Sequence, residues 1–196
     1  MSLPRRSFLK SAASVISTGC PTFAASLSLP LGWDALAQTA APPTPELHPV
    51  SAGQDRFDTP HSLGFSSLAF KVATSDTAGN LFVIEHRSLM PGTGPALHLH
   101  FSQDEWFYVM EGEVVFQVGD QRPHLRSGDS VLAPRRIGHT FSAIGAPARL
   151  LIAFTPAGKM EQYFLDAAAN PTIAATEDFM NRYEMQWLGP SPFWKS

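Results

Sequence analysis

Two histidines, His98 and His100, are separated by one residue and are followed by Glu105 in the stretch HLHFSQDEWFYVMEG. In an extended segment, alternate side chains point to the same side, so the two imidazoles share one face. Imidazole nitrogens and carboxylate oxygens bind metal ions, and both groups also transfer protons. If the shared face is the interior of a barrel, the two imidazoles meet there.

The segments around these residues predict an all-β fold. Eight short runs rich in β-branched and aromatic residues are separated by Gly, Pro, Asn or Asp, which is typical of strands joined by turns. The runs cover residues 65–73, 81–90, 96–101, 105–110, 113–118, 130–134, 139–144 and 148–154. Eight short strands at regular spacing favour a sandwich or a jelly-roll barrel.

The C-terminal part returns to helical spacing. Apolar residues recur three and four apart in two stretches, which contain Met160, Tyr163, Phe164 and Ala167, and then Phe179, Tyr183 and Trp187. Thr176 is a candidate N-cap, and Pro171 separates the two stretches. We expect two short helices that pack against the barrel, close one of its ends or support a homodimer.

The first residues predict an export signal. Arg5 and Arg6 precede Phe8, Leu9 and Lys10, and a weakly apolar stretch then ends at a small-residue site at Ala37. Residues 1–37 resemble a cleaved twin-arginine signal peptide, which implies the twin-arginine translocase as a partner and a periplasmic or secreted location. This route carries folded proteins, so a metal can be bound before export.

Two alternatives to a cleaved signal are an uncleaved membrane anchor and a lipid attached at Cys20. The prolines and serines of the stretch interrupt a membrane span, so no stable anchor is expected. Residues 38–60 contain five prolines and are predicted to be a linker. The predicted barrel covers 61–157, and the predicted helical extension covers 158–196.

Composition excludes several kinds of site. The length of 196 residues predicts one globular domain, and the formal net charge of −3 argues against nucleic acid as a partner. Removal of residues 1–37 takes away three cations, one anion and the only cysteine, so the formal charge becomes −5. A disulfide framework, a cysteine-ligated zinc, an iron–sulfur cluster and a cysteine nucleophile are then excluded.

The spacing of two motifs identifies a family resemblance. Gly92 is followed after five intervening residues by His98, then after one by His100, after four by Glu105 and after six by Gly112. The second motif has Gly128, then Pro134 after five residues, and His139. Over roughly residues 60–165 the chain resembles a single-domain cupin of the quercetin-dioxygenase-like group, which implies a cupin jelly-roll barrel, also called a double-stranded β-helix.

The second motif departs from the family pattern at two positions. Arg136 stands where the family usually has Gly, and Ala143 stands where it usually has Asn. That Gly serves a turn of unusual backbone geometry, so Arg136, with Gly138 two residues later, predicts a reshaped turn. The spacing from Pro134 to His139 is kept, and the histidine should still reach the site.

The resemblance implies a metal site made by His98, His100, Glu105 and His139. Three imidazoles and one carboxylate suit a single divalent Fe, Mn, Ni, Co, Cu or Zn ion, and coordination positions left open suit catalysis. The remaining histidines, which are His48, His61, His86 and His124, are interpreted as surface or loop residues.

The resemblance further implies a dioxygenase acting on a small enolic or phenolic substrate, with Glu105 as the catalytic proton acceptor. Residues expected to share the inner face predict an apolar substrate pocket formed by Phe107, Val109, Phe116, Phe141 and Met90. Arg135 and Arg136 fit either an anion site at the barrel mouth or a solvated surface pair.

Two other functions stay open at this stage. One is a periplasmic metal-binding or small-molecule-binding protein without turnover. The other is a sugar isomerase, which would need a basic phosphate-binding cluster near the site. Arg135, Arg136, Lys71 and Arg87 are the candidates for that cluster.

Overall fold

The computed structural model describes residues 47–194. The predicted signal segment 1–37, with Arg5 and Arg6, and the first part of the predicted linker lie outside the described residues. Among the described residues, no helix is both long enough and apolar enough to cross a membrane.

Two antiparallel sheets form the fold. The strands are β1 (His61–Ser62), β2 (Ser67–Val72), β3 (Phe82–Leu89), β4 (Leu97–His100), β5 (Asp104–Glu111), β6 (Glu113–Val118), β7 (His124–Arg126), β8 (Ser130–Ala133), β9 (His139–Ala143), β10 (Ala148–Thr155) and β11 (Met185–Gly189). Two short helices follow β10, namely α1 (Met160–Ala169) and α2 (Glu177–Asn181). One sheet has the order β1-β2-β3-β10-β5-β8, and the other has the order β11-β4-β9-β6-β7. The predicted all-β jelly-roll class with two short C-terminal helices is confirmed.

All eight predicted strands are present, with bounds that differ by at most a few residues. Their β-branched and aromatic composition, the turn residues between them and, on several strands, alternation explain why they were visible in the sequence. On β5, for example, Glu105, Phe107 and Val109 are buried between the sheets while Trp106 is exposed. The strands β1, β7 and β11 are short, and the sequence did not predict them.

The turn between β5 and β6 shows why glycine ends the first motif. Gly112 has a φ of 84°, and a Cβ atom there would lie 3.1 Å from the Cα of Ala148. Only glycine adopts this conformation readily, and only glycine leaves room for the neighbouring strand. The turn therefore ends β5 in one sheet and allows β6 to begin in the other sheet.

The first C-terminal helix agrees with the sequence prediction, and the second does not. The buried residues of α1 are the predicted Met160, Tyr163, Phe164 and Ala167. The second helix ends at Asn181, and Trp187 lies on β11, opposite His98. The edge of β4 offers unpaired backbone groups, and pairing with them outweighs the local helical spacing.

The described part of the predicted linker is attached to the barrel. The Asp55 side chain is buried and accepts a hydrogen bond from the Phe70 amide at 2.6 Å. The Arg56 amide donates to the Phe70 carbonyl at 2.8 Å. These contacts hold the segment before β1 against β2.

Candidate metal centre

The four predicted ligand side chains lie together between the two sheets. His98 and His139 are directly opposite each other on β4 and β9, His100 follows on β4, and Glu105 comes from β5 in the other sheet. One donor atom from each side chain lies within 4.8 Å of every other. All four side chains are buried, so the rigid interior of the barrel fixes the cluster.

Backbone carbonyls orient two of the imidazoles. Nδ1 of His98 lies 2.8 Å from the Ala96 carbonyl, and Nδ1 of His139 lies 2.9 Å from the Ile137 carbonyl. A carbonyl accepts hydrogen bonds and cannot donate them, so each Nδ1 carries a proton and each Nε2 is free to bind at the centre. This outer hydrogen bond is the usual way in which proteins fix a metal-binding histidine.

The centre of the cluster requires a positive charge. Nε2 of His139 lies 2.8 Å from Oε2 of Glu105, and Nε2 of His100 lies 3.0 Å from the same oxygen. Because Nδ1 of His139 already donates, a neutral His139 ring would present a lone pair to the lone pairs of a carboxylate. A second proton or a cation must lie between them.

The donor set therefore fits a divalent transition metal. Two donors each about 2.1 Å from one ion are at most about 4.2 Å apart, so a small contraction of the cluster would place all four around one centre. Nδ1 of His100 is also buried without a hydrogen-bond partner among the described residues, which leaves the protonation of this ring free to adjust.

The electrostatics of the cluster favour neutral imidazoles at His98 and His100 and an ionised carboxylate at Glu105. Burial lowers the pKa of His98 well below its usual value, and His139 and His100 lower it further. Burial also lowers the pKa of His100, against the opposing effect of Glu105. Burial alone would raise the pKa of Glu105, but the contacts of its carboxylate with the ring nitrogens of His100 and His139 outweigh burial and keep that pKa below its usual range. Neutral nitrogens and a charged oxygen are the forms that bind a cation.

A cavity of about 370 Å³ lies beside the cluster. His98, His100 and Glu105 line it, whereas His139 does not. Most of the wall is apolar and includes Phe65, Phe141, Ile152, Phe154, Phe164 and Met180. A cavity of this volume can hold a small aromatic molecule.

One family model matches the part of the chain that carries the four clustered side chains. Residues 86–154 match the family model of the cupin domain, and the matched range contains all four clustered side chains. No curated protein sequence matches the chain.

Solved structures similar to this chain share little sequence with it. An RmlC-like cupin from Shewanella frigidimarina is 20% identical, and the match covers 59% of this chain and 96% of that chain at a TM-score of 0.50. KdgF from Halomonas sp. is 18% identical, and the match covers 50% of this chain and 86% of that chain at a TM-score of 0.45. A predicted oxalate decarboxylase from Thermotoga maritima is 19% identical, and the match covers 46% of this chain and 80% of that chain at a TM-score of 0.44. The first of these likenesses supports the fold and carries no information about a substrate.

The pocket predicted from the sequence is largely wrong. Of the five predicted residues, only Phe141 lines the cavity. The four that do not line it are Phe107, Val109, Phe116 and Met90. Phe107, Val109 and Phe116 are fully buried and fill the interior behind His139. The Phe107 ring lies 6.1 Å from the His139 ring and 5.1 Å from the Phe116 ring. Met90 is 46% exposed, because it follows the last residue of β3.

The cavity instead obtains much of its wall from the C-terminal segment. Tyr163 and Phe164 of α1, Met180 of α2 and Met185 of β11 all line the cavity. The Tyr163 hydroxyl donates to the Ala174 carbonyl at 3.3 Å, which connects α1 to the segment that precedes α2. The helical spacing of Tyr163 and Phe164 predicted packing against the barrel, but it could not show that these residues pack around a space.

The interpretation of His86 as a surface or loop residue is wrong. It lies on β3, is 2% exposed and lines the cavity. The signal was present in the sequence, because the alternation that places Phe82 and Ile84 inward on β3 also places His86 inward.

The two arginines of the second motif do not line the cavity. Arg135 makes a two-point ion pair with Asp104, at 3.0 and 2.7 Å, on the outside of the domain. Arg136 is exposed and has a φ of 66°, while its amide donates to the His100 carbonyl at 2.7 Å. The left-handed conformation occurs at Arg136 itself, where it is strained for a residue other than glycine. Gly138 does not have a positive φ, so it does not take over that conformation.

Proposed function

We propose that this protein is a metal-dependent oxidoreductase of the dioxygenase type, acting on a small enolic or phenolic substrate of flavonol-like character. Dioxygen is the oxidant, the substrate is oxidised, and both oxygen atoms enter the products. The single observation that carries the proposal is that a buried His-His-Glu-His cluster opens into an apolar cavity. The metal would be one divalent Fe, Mn, Ni, Co, Cu or Zn ion.

The lining of the cavity supports an aromatic substrate over a sugar phosphate. No lysine or arginine is found among the described residues that line it. The candidates for a phosphate site are engaged elsewhere: Lys71 pairs with Glu85 at 3.3 Å, and Nη1 of Arg87 donates to the Gly53 carbonyl at 2.7 Å. A phosphate dianion would find no compensating charge there, which argues against the sugar-isomerase alternative.

The metal would be held by His98, His100, Glu105 and His139. When bound, such an ion supplies Lewis acidity toward a substrate oxygen. The apolar wall built by residues such as Phe141, Phe154 and Phe164 would exclude water around the aromatic part of the substrate.

Glu105 limits the class of hydroxyl that the site can deprotonate. A carboxylate is a weak base, so it accepts protons readily only from groups that are already acidic. Enols and phenols are far more acidic than sugar or alkyl alcohols. The weak basicity of a carboxylate therefore favours the proposed substrate class.

Oxygen uptake tests the proposal. Protein reconstituted separately with each candidate metal is supplied with flavonols, β-diketones and catechol-like acids, and the dioxygen electrode trace is compared with that of His98→Ala. We expect uptake that depends on metal, on substrate and on His98. Stoichiometric metal binding with no uptake above the variant for any compound would instead support the non-catalytic binding function.

A further inference from the structure

His86 is a polar group in the cavity wall that the metal site does not use. Its ring centroid lies 5.8 Å from that of Phe141, 6.1 Å from that of Phe164 and 6.3 Å from that of Phe65. All three aromatic residues also line the cavity. A polar side chain among such neighbours is costly to bury unless it makes hydrogen bonds.

Only one of its two ring nitrogens has a protein partner. Nδ1 lies 2.8 Å from Oγ of Ser66, and this is the single hydrogen bond that the ring makes within residues 47–194. Nε2 has no partner there, yet it is not among the fully enclosed polar atoms, so it is accessible from the cavity. Because a serine hydroxyl can donate or accept, either tautomer of His86 is supported, and Nε2 can accept or donate in turn.

The environment of His86 suits a neutral partner group. Burial lowers the pKa of the ring to about 4, while the Glu105 carboxylate opposes the shift. The imidazole is therefore uncharged near neutral pH. With neither a cationic imidazole nor a lysine or arginine in the described wall, an anionic group at this point would lack a counter-charge.

His86 pairs with Leu150 of β10, whereas Glu105 pairs with Phe154, four residues further along the same strand, so His86 lies away from the metal cluster. We propose that His86 determines specificity by hydrogen-bonding a neutral hydroxyl or carbonyl group at the far end of the substrate. The inference rests on the proposed function and adds a second anchor point to it. The substrate class becomes an aromatic molecule with an acidic enol or phenol at one end and an uncharged polar group at the other. Ser66 acts through His86 by holding its Nδ1, which fixes the orientation of the ring.

A pair of ligands that differ by one distal hydroxyl tests this assignment. The probes are 3-hydroxyflavone and 3,4′-dihydroxyflavone, titrated by fluorescence into Zn²⁺-loaded protein under nitrogen so that no turnover occurs. We expect the native protein to bind the dihydroxy compound about five-fold or more tightly, which is the effect of one net hydrogen bond. His86→Phe should bring the ratio of the two affinities close to one.

Three further variants separate recognition from structure. His86→Asn keeps a polar group and should retain part of the preference, while Ser66→Ala should weaken it because the ring is no longer held. Met180→Leu alters the same cavity without touching His86, so it should change both affinities together and leave their ratio unchanged. A purely structural role for His86 would not produce this selective pattern.

The possible results are distinguishable. A ratio near one in the native protein, or an unchanged ratio in His86→Phe, overturns the assignment of His86 but leaves the proposed function standing. Zn²⁺ binding with no binding of either flavonol contradicts the proposed substrate class and the assignment with it. If His86→Phe fails to bind Zn²⁺, the ratios measured for His86→Asn and Ser66→Ala decide the question by the same criteria.

Discussion

The interior of the barrel has two parts that differ in how completely they are filled. Behind His139, the rings of Phe107, Phe116 and Phe141 lie 5.1 to 5.7 Å from one another, as in an ordinary protein core. On the other side of the ligands lies a cavity of about 370 Å³. We refer to the two parts as the filled region and the hollow region.

Both regions arise from the same strand alternation. In the filled region, aromatic side chains of the two sheets meet directly. In the hollow region, part of the opposite wall comes from α1, α2 and the segment between them, which do not fill the space. Packing makes one region rigid, and the space makes the other able to accept a ligand. The metal cluster lies where the two regions meet.

The largest expected difference between the regions is in how much a truncated side chain lowers the free energy of unfolding. Phe107→Ala should lower the free energy of unfolding by about 3–5 kcal/mol, because it leaves a void in a fully packed site. Met180→Ala should cost clearly less, because it enlarges a space that already exists. Chemical denaturation of the metal-free protein measures both values. Equal costs for the two variants would remove the distinction between the regions.

The next effect is a pH dependence located in the hollow region. The pKa of His86 is about 4 in the folded protein and about 6.5 when unfolded, so as the pH falls below about 6.5 the unfolded chain takes up a proton first. The contribution of His86 to the free energy of unfolding is fully present above about pH 6.5 and is lost as the pH falls through about 4. The total loss is about 3 kcal/mol. His86→Phe should reduce the loss measured between pH 7 and 4 by this amount in the metal-free protein.

The filled region supplies the control for this titration. Phe107→Leu removes no ionisable group, so it should lower stability by a similar amount at every pH. If the free energy of unfolding of His86→Phe falls between pH 7 and 4 as much as that of the native protein, the proton taken up on unfolding does not belong to His86.

The smallest effect is expected at a turn outside both regions. Arg136 adopts a left-handed backbone conformation at a φ of 66°, which is unfavourable for residues other than glycine. Arg136→Gly should therefore raise the free energy of unfolding by up to about 1 kcal/mol without changing the pH dependence. Thermal and denaturant unfolding measure it, and a destabilised variant would show that contacts of the Arg136 side chain outweigh the backbone strain.

The sequence predicted those features that depend on local pattern. Alternation located eight strands, and the spacing of two motifs located four side chains that share one centre. These signals are strong because a strand has a fixed period of two and because metal ligands require particular residue types. The same reasoning applied to β3 would have placed His86 inside the barrel.

Features that depend on long-range packing were not predictable in this way. Trp187 follows a helical spacing with Phe179 and Tyr183, yet it lies on β11 because β4 offers an edge for pairing. Inward-facing residues such as Phe107 could be assigned to the interior but not to one of its two regions. Whether an inward side chain borders a space depends on how far away the opposite element lies, and a single sequence carries no direct signal for that distance.

The most direct test of the account is the metal content of the purified protein and of His98→Ala. It is measured by mass spectrometry after reconstitution and exhaustive dialysis. Phe107→Leu is the control variant, because it alters packing but no ligand. The account predicts one transition-metal ion per chain in the native protein and in Phe107→Leu, and almost none in His98→Ala. A native protein that retains no ion, or a His98→Ala variant that retains it equally well, would contradict the claim that these four side chains form a metal centre.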